Sequence, residues 1–116
     1  MRTVFTVILA LVFSVIASAQ VGPVVPKAAS LEWDDTNPPG IVQTSRMYCA
    51  STTPVEQDPL NMVAEIDAPA LTWAITLDPG QWYCAVSFYD GTVESEMSNE
   101  VAFFVFNPPG SLRIVQ

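Results

Sequence analysis

Chemistry has few places to come from in this chain. Its 116 residues include no histidine, two cysteines, and twelve acidic against four basic side chains. Without imidazole there is no Ser-His-Asp or Cys-His nucleophile and no imidazole metal ligand, which removes most hydrolytic and zinc chemistry. Cys49 and Cys84 lie far apart in sequence. They form no C-x-x-C pair and have no neighbouring cation to lower a thiol pKa, so thiol redox catalysis is not expected. Any two of the twelve acids could be imagined as a glycosidase pair, so their mere presence has no specificity. Glu32, Asp34 and Asp35, beside a Pro-Pro-Gly loop, could gather around calcium, but their spacing is not that of a calcium loop. A solvated acidic loop is expected instead. No G-x-S-x-G, phosphate-loop or H-E-x-x-H string occurs. The expectation is no catalytic residue, no metal and no cofactor.

Charge narrows the partners. A net charge of −8 repels phosphate backbones and anionic lipid, which argues against nucleic acid. The mean hydropathy of +0.33 is nevertheless positive, and its source is the first segment. Arg2 precedes an apolar stretch from residue 4 to 16, broken only by Thr6 and Ser14, and Ala17-Ser18-Ala19 follows. A bilayer span needs about 20 apolar residues, whereas a secretory h-region takes roughly 7 to 15 and ends in small residues. Residues 1–19 therefore read as a secretory signal peptide cleaved after Ala19. Removing 19 of 116 residues leaves 97, starting at Gln20, with no cysteine there to accept a lipid. The expected location is extracellular or periplasmic, with no membrane span after cleavage.

The elements that must carry any site read as strands. In residues 28–33, Ala29, Leu31 and Trp33 alternate with Ser30 and Glu32, as a half-buried strand requires. Asn37-Pro38-Pro39-Gly40 then forces a loop, because proline cannot donate to a ladder. Further strands are expected over 41–49, 62–66, 71–77, 82–89 and 101–106, with Ala68-Pro69, Asp78-Pro79-Gly80 and Asp90-Gly91 as breaks. No segment shows a helical period. Six or seven short strands with such punctuation suit an all-β, immunoglobulin-like antiparallel β-sandwich, one domain over 20–107 with a tail over 108–116.

Three stretches now resemble the fibronectin type III family in its bacterial and phage form, covering about residues 24–106. Ala29-Ser30-Leu31-Glu32-Trp33-Asp34 is similar to that family's second strand with its core tryptophan. The run from Leu77 through Asp78-Pro79-Gly80-Gln81-Trp82 to Val86 is similar to the turn into its sixth strand. Ser98-Asn99-Glu100-Val101 is similar to the opening of its last. The resemblance implies a recognition or spacer module. It also implies that Trp82 stands in place of a corner tyrosine, so that the usual hydroxyl bond to backbone must pass to the indole N–H or be lost. No Arg-Gly-Asp tripeptide is present, and integrin-type recognition is not implied.

Alternation then sorts the side chains. With Met47 and Cys49 inward on the third strand and Cys84, Val86 and Phe88 inward on the sixth, the two cysteines share a face of neighbouring strands. In an exported chain they could form a disulfide. Direct cross-strand pairs are tight for that bond, and two reduced thiols acting as small hydrophobes are the alternative. Outward go Arg46 and Tyr48, then Tyr83, Ser87 and Tyr89, then Phe104 and Phe106. Such an aromatic face is a candidate site for a partner protein or for stacking sugar rings. The alternative is that cross-strand aromatic pairs serve only the sheet, or that the tail folds over them. The tail's Ser111-Leu112-Arg113-Ile114-Val115-Gln116 alternates and could add to a sheet edge. The expected function is a secreted, non-enzymatic binding module for a surface polysaccharide or protein. The alternative is a self-associating structural subunit of a virion, pilus or other extracellular assembly.

Overall fold

A computed structural model describes residues 20–116, so the expected signal peptide lies outside the described residues. Seven strands follow in order: β1 (Val24–Val25), β2 (Ser30–Glu32), β3 (Thr44–Ala50), β4 (Met62–Asp67), β5 (Thr72–Ala74), β6 (Gly80–Tyr89) and β7 (Val101–Val105). A single 3-10 turn at Pro59–Asn61 interrupts them, capped by the Asp58 carboxylate accepting from the Leu60 N–H. The strands form two sheets. One has the order β1-β7-β6-β3-β4, and the other holds only β2 and β5. The expected all-β sandwich is what the chain adopts.

Within the larger sheet all pairings are antiparallel except one. β1 runs parallel to β7, with Val24 beside Phe104 and Val25 beside Val105. The sequence reading had no strand there, because two valines between Pro23 and Pro26 show no alternation. Three other strands begin later than expected. The strand expected from residue 41 begins at Thr44, with Ile41 51% exposed. Residues 28–33 and 71–77 shorten to three ladder positions each. Burial still alternates beyond the shorter ladder, through Trp73, Ile75 and Leu77, so the period-two pattern outlasts the pairing.

The core fills the space between the sheets. Trp73, Ile75 and Leu77 come from one side, and Met47, Cys49, Cys84, Val86, Phe103 and Val105 from the other, with Leu31 and Trp33 packed against them. Buried Ser45 would be an unpaired hydroxyl here, but it accepts the Trp33 indole N–H at 3.1 Å. Cys49 and Cys84 stand directly opposite one another and are joined by a disulfide, with Cα atoms 4.2 Å apart. The bond links two strands of the same sheet, so it fixes their register rather than tying one sheet to the other.

At the entry to β6, Gly80 takes a φ of +136°, a region that favours glycine, and lets the chain swing from Pro79 into the strand. Two residues on, the Trp82 indole N–H donates to the Asp78 carbonyl at 2.7 Å. The bond expected from a corner tyrosine is therefore made by the indole. Trp82→Phe deletes the donor and trims the bicyclic ring to a phenyl, so a loss of at least about 1 kcal/mol is expected from urea denaturation. Unchanged stability would show that the bond only replaces one to water.

Candidate binding face

The outward face of the larger sheet can be read in rows from the register. Val24, Phe104 and Gln81 lie side by side, then Ala102, Tyr83 and Ala50, then Ala85 and Tyr48, then Ser87, Arg46 and Glu65, then Glu94, Tyr89 and Thr44. The expected aromatic residues do share this face. They do not form one open surface.

The rows toward the end of β6 are closed by a polar network centred on Glu94. Its Oε1 accepts from Arg46 Nη1 at 2.9 Å, and its Oε2 accepts from Ser87 Oγ at 2.6 Å, from Gln57 Nε2 at 2.9 Å and from the Tyr48 hydroxyl. Arg46 Nε donates to Glu65 Oε2 at 2.9 Å, and the guanidinium lies 3.9 Å from the centre of the Tyr89 ring. The Tyr89 hydroxyl turns back to the Gly91 carbonyl. The β3–β4 connection crosses this half. Val55 is buried there, its N–H bonded to Glu100 Oε2 at 2.7 Å, and Gln57 also donates to the Ser95 carbonyl.

Tyr48, expected to face a partner, is consequently only 3% exposed, and Ser87 only 2%. Both are corrections to the open face read from alternation. The cause is a long-range one: a loop over 51–58 and the acid after the β6 turn converge on the same side of the sheet. Arg46 and Tyr89, also expected there, are half-buried and held by this network.

Electrostatics follow from the same contacts. Burial pushes the Glu94 carboxyl up, but the hydrogen bonds from Ser87, Tyr48, Gln57 and Arg46 outweigh it and hold it at about 2. Glu65 is lowered by the Arg46 bond and by Thr44. The Tyr48 phenol is raised, chiefly by burial and then by its bond to Glu94. The unfolded chain titrates Glu94 near its ordinary 4.5 and the fold near 2. Between those values the unfolded state takes up the proton first, so stability falls as pH drops through this window and the contribution is present above it. With solvent screening discounted, a loss on the order of 2 kcal/mol is expected between about pH 5 and pH 2. Denaturant midpoints across that range check it, and a Glu94→Gln chain should lack this part of the slope.

The other half of the face stays accessible. Tyr83 stands between two alanines and is half-buried, Phe104 is half-buried, Phe106 is 61% exposed and Val24 is 44% exposed. Together they make an apolar strip along β1, β7 and β6. Gln81 braces its edge, exchanging bonds with the Val21 N–H and carbonyl at 2.8 Å. The tail does not cover it, and Leu112, Ile114 and Val115 are almost fully exposed.

Elsewhere, Asp35 accepts from both the backbone and side-chain nitrogens of Asn37, as a loop-capping acid does. Among the described residues no group of three or more His, Cys, Asp or Glu is placed to hold a metal ion, and no helix is long and apolar enough to cross a membrane. Sequence reasoning did not single out Glu94. Counting across the Asp90-Gly91 turn would pair it with Tyr89 on the face that carries Arg46, which is the signal it left.

No protein-family model and no curated protein sequence matches the chain. Among solved structures it is similar to an Fn3-like protein from Clostridium thermocellum, with 17% identity and a TM-score of 0.51 over 79% of this chain and 99% of that one. At that identity the likeness concerns the fold alone, and the fold is fibronectin type III-like.

Proposed function

We propose that this fibronectin type III-like domain is an exported, non-enzymatic binding module, and that the strip of Tyr83, Phe104 and Phe106 contacts a surface polysaccharide or protein. The accessible strip carries this reading. Two half-buried rings and one largely exposed ring lie on a rigid sheet, beside a second patch whose aromatic groups are already committed internally. Rings held this way lose little entropy on contact and offer flat apolar area, which suits stacking on sugar rings or the core of a protein interface. Export is supported by the disulfide, since such bonds persist in oxidising compartments, and by the segment of residues 1–19.

Glycan-array and cell-surface binding of the tagged protein tests this reading, using Tyr83→Ser, Phe104→Ser and Phe106→Ser. Loss of binding in these variants, with retention in a control at exposed Thr92, Thr92→Ser, is the expected result. Binding that survives all three substitutions would move the site elsewhere.

A further inference from the structure

Of the two open backbone edges of the smaller sheet, the β2 edge lies beside a groove. In the β2–β5 ladder, Ile75 N–H donates to the Ala29 carbonyl and Trp33 N–H to the Leu71 carbonyl. Residues 29, 31 and 33 therefore spend their backbone groups on β5, and Ser30, Glu32 and Asp34 turn theirs to the opposite edge, where no strand lies among the described residues. Alongside runs a groove of about 460 Å³ between the two sheets, walled by Leu31 and Trp33 on one side and by Val86, Phe88 and Met97 on the other. Glu32, Asp34 and Glu96 border it too.

One segment of the chain has the complementary pattern. Residues 111–116 follow Asn107-Pro108-Pro109-Gly110, form no strand and are exposed throughout, with Leu112 at 100% and Ile114 at 86%. Ser111 to Ile114 alternate polar and apolar, and Arg113 lies between Leu112 and Ile114. Arg113 is one of three cations among residues 20–116, the others being Lys27 and Arg46.

We propose that residues 111–116 of a second copy of this chain add as a strand to the free edge of β2. Leu112 and Ile114 enter the groove, and Arg113 lies on the outer side near Glu32 and Asp34. Backbone bonds would supply affinity, and alternate side chains would set the register. A second copy is favoured over the same copy by the path of the chain. The tail leaves β7 at Phe106, whose N–H donates to the Val25 carbonyl, whereas the groove is lined at the opposite end of β7 by Val101. Charge complementarity across the edge, with Arg113 set against Glu32 and Asp34, favours this tail over an acidic partner.

Sedimentation equilibrium of the protein recovered from an exporting host tests the proposal, together with photo-crosslinking from position 114 in a mixture of light- and heavy-isotope copies. Concentration-dependent association is expected, with crosslinks joining light to heavy copies near Trp33 or Met97. Leu112→Asp with Ile114→Asp should weaken it about a hundredfold. Arg113→Glu should weaken it by roughly tenfold and regain it when combined with Glu32→Arg. These exposed tail positions leave the fold intact, and Phe106→Ser should not alter association, which separates this contact from the aromatic strip. A protein that stays monomeric, crosslinks only within one copy, or associates despite the double aspartate change would overturn the proposal.

Discussion

Glu94→Ala is expected to lower the unfolding free energy by about 3 kcal/mol, because it deletes the shared acceptor of a network rather than one bond. The Tyr48 hydroxyl, Ser87 Oγ and Gln57 Nε2 all donate to Oε2, and Arg46 donates to Oε1. Tyr48 and Ser87 are buried, so they could not regain water without opening the loop above them. Glu94→Gln should cost less, about 1.5 kcal/mol. An amide oxygen at the Oε2 position still accepts from three donors, whereas its NH2 group would face the Arg46 guanidinium in place of a carboxylate oxygen. Guanidinium denaturation of the two variants gives the order directly. Equal losses would mean that charge, not acceptor geometry, holds the network.

The disulfide carries the second large effect. Cys49→Ala with Cys84→Ala reopens a loop of 35 residues in the unfolded chain, which in the loop-entropy account is worth about 4 kcal/mol. For a domain of this size such a loss corresponds to a fall in Tm of roughly 15–30 °C. It approaches the whole stability of many small domains. Because Cys84 is fully buried and Cys49 nearly so, reductant should act only after the fold opens, and native protein should resist it far longer than protein in denaturant. A calorimetric scan of the double variant that matches the parent would show that the bond adds no stability.

Much of the sandwich was legible because its strands bury one face. Trp73, Ile75 and Leu77, or Met47 and Cys49, announce an inward side by period two alone. The prolines and glycines between them announce turns, and the Trp82 corner was implied by the resemblance to the fibronectin type III family, in which a tyrosine takes that place. What alternation could not show was which outward residues meet water. Tyr48 and Tyr83 sit on the same face of adjacent strands by the same rule. One is buried because Gln57, Ser87 and Arg46 gather with it on Glu94, and that arrangement depends on a loop whose path no local pattern encodes. β1 escaped notice for a related reason. Its two residues have too little pattern to read, and their partners on β7 are 80 positions away.

That parallel pairing governs how the domain bears a load. Because β1 and β7 run in the same direction, the chain enters the sheet near Ala102 and leaves it past Phe106, at opposite ends of the ladder. Tension between these two points stretches the bonds from Phe104 N–H to the Pro23 carbonyl and from Phe106 N–H to the Val25 carbonyl at the same moment. They must yield in shear, together, instead of parting one after another like a zip. A module fixed at one end and gripping its target through the same sheet would keep that sheet assembled under drag, with the Cys49–Cys84 bond as a covalent stop behind it.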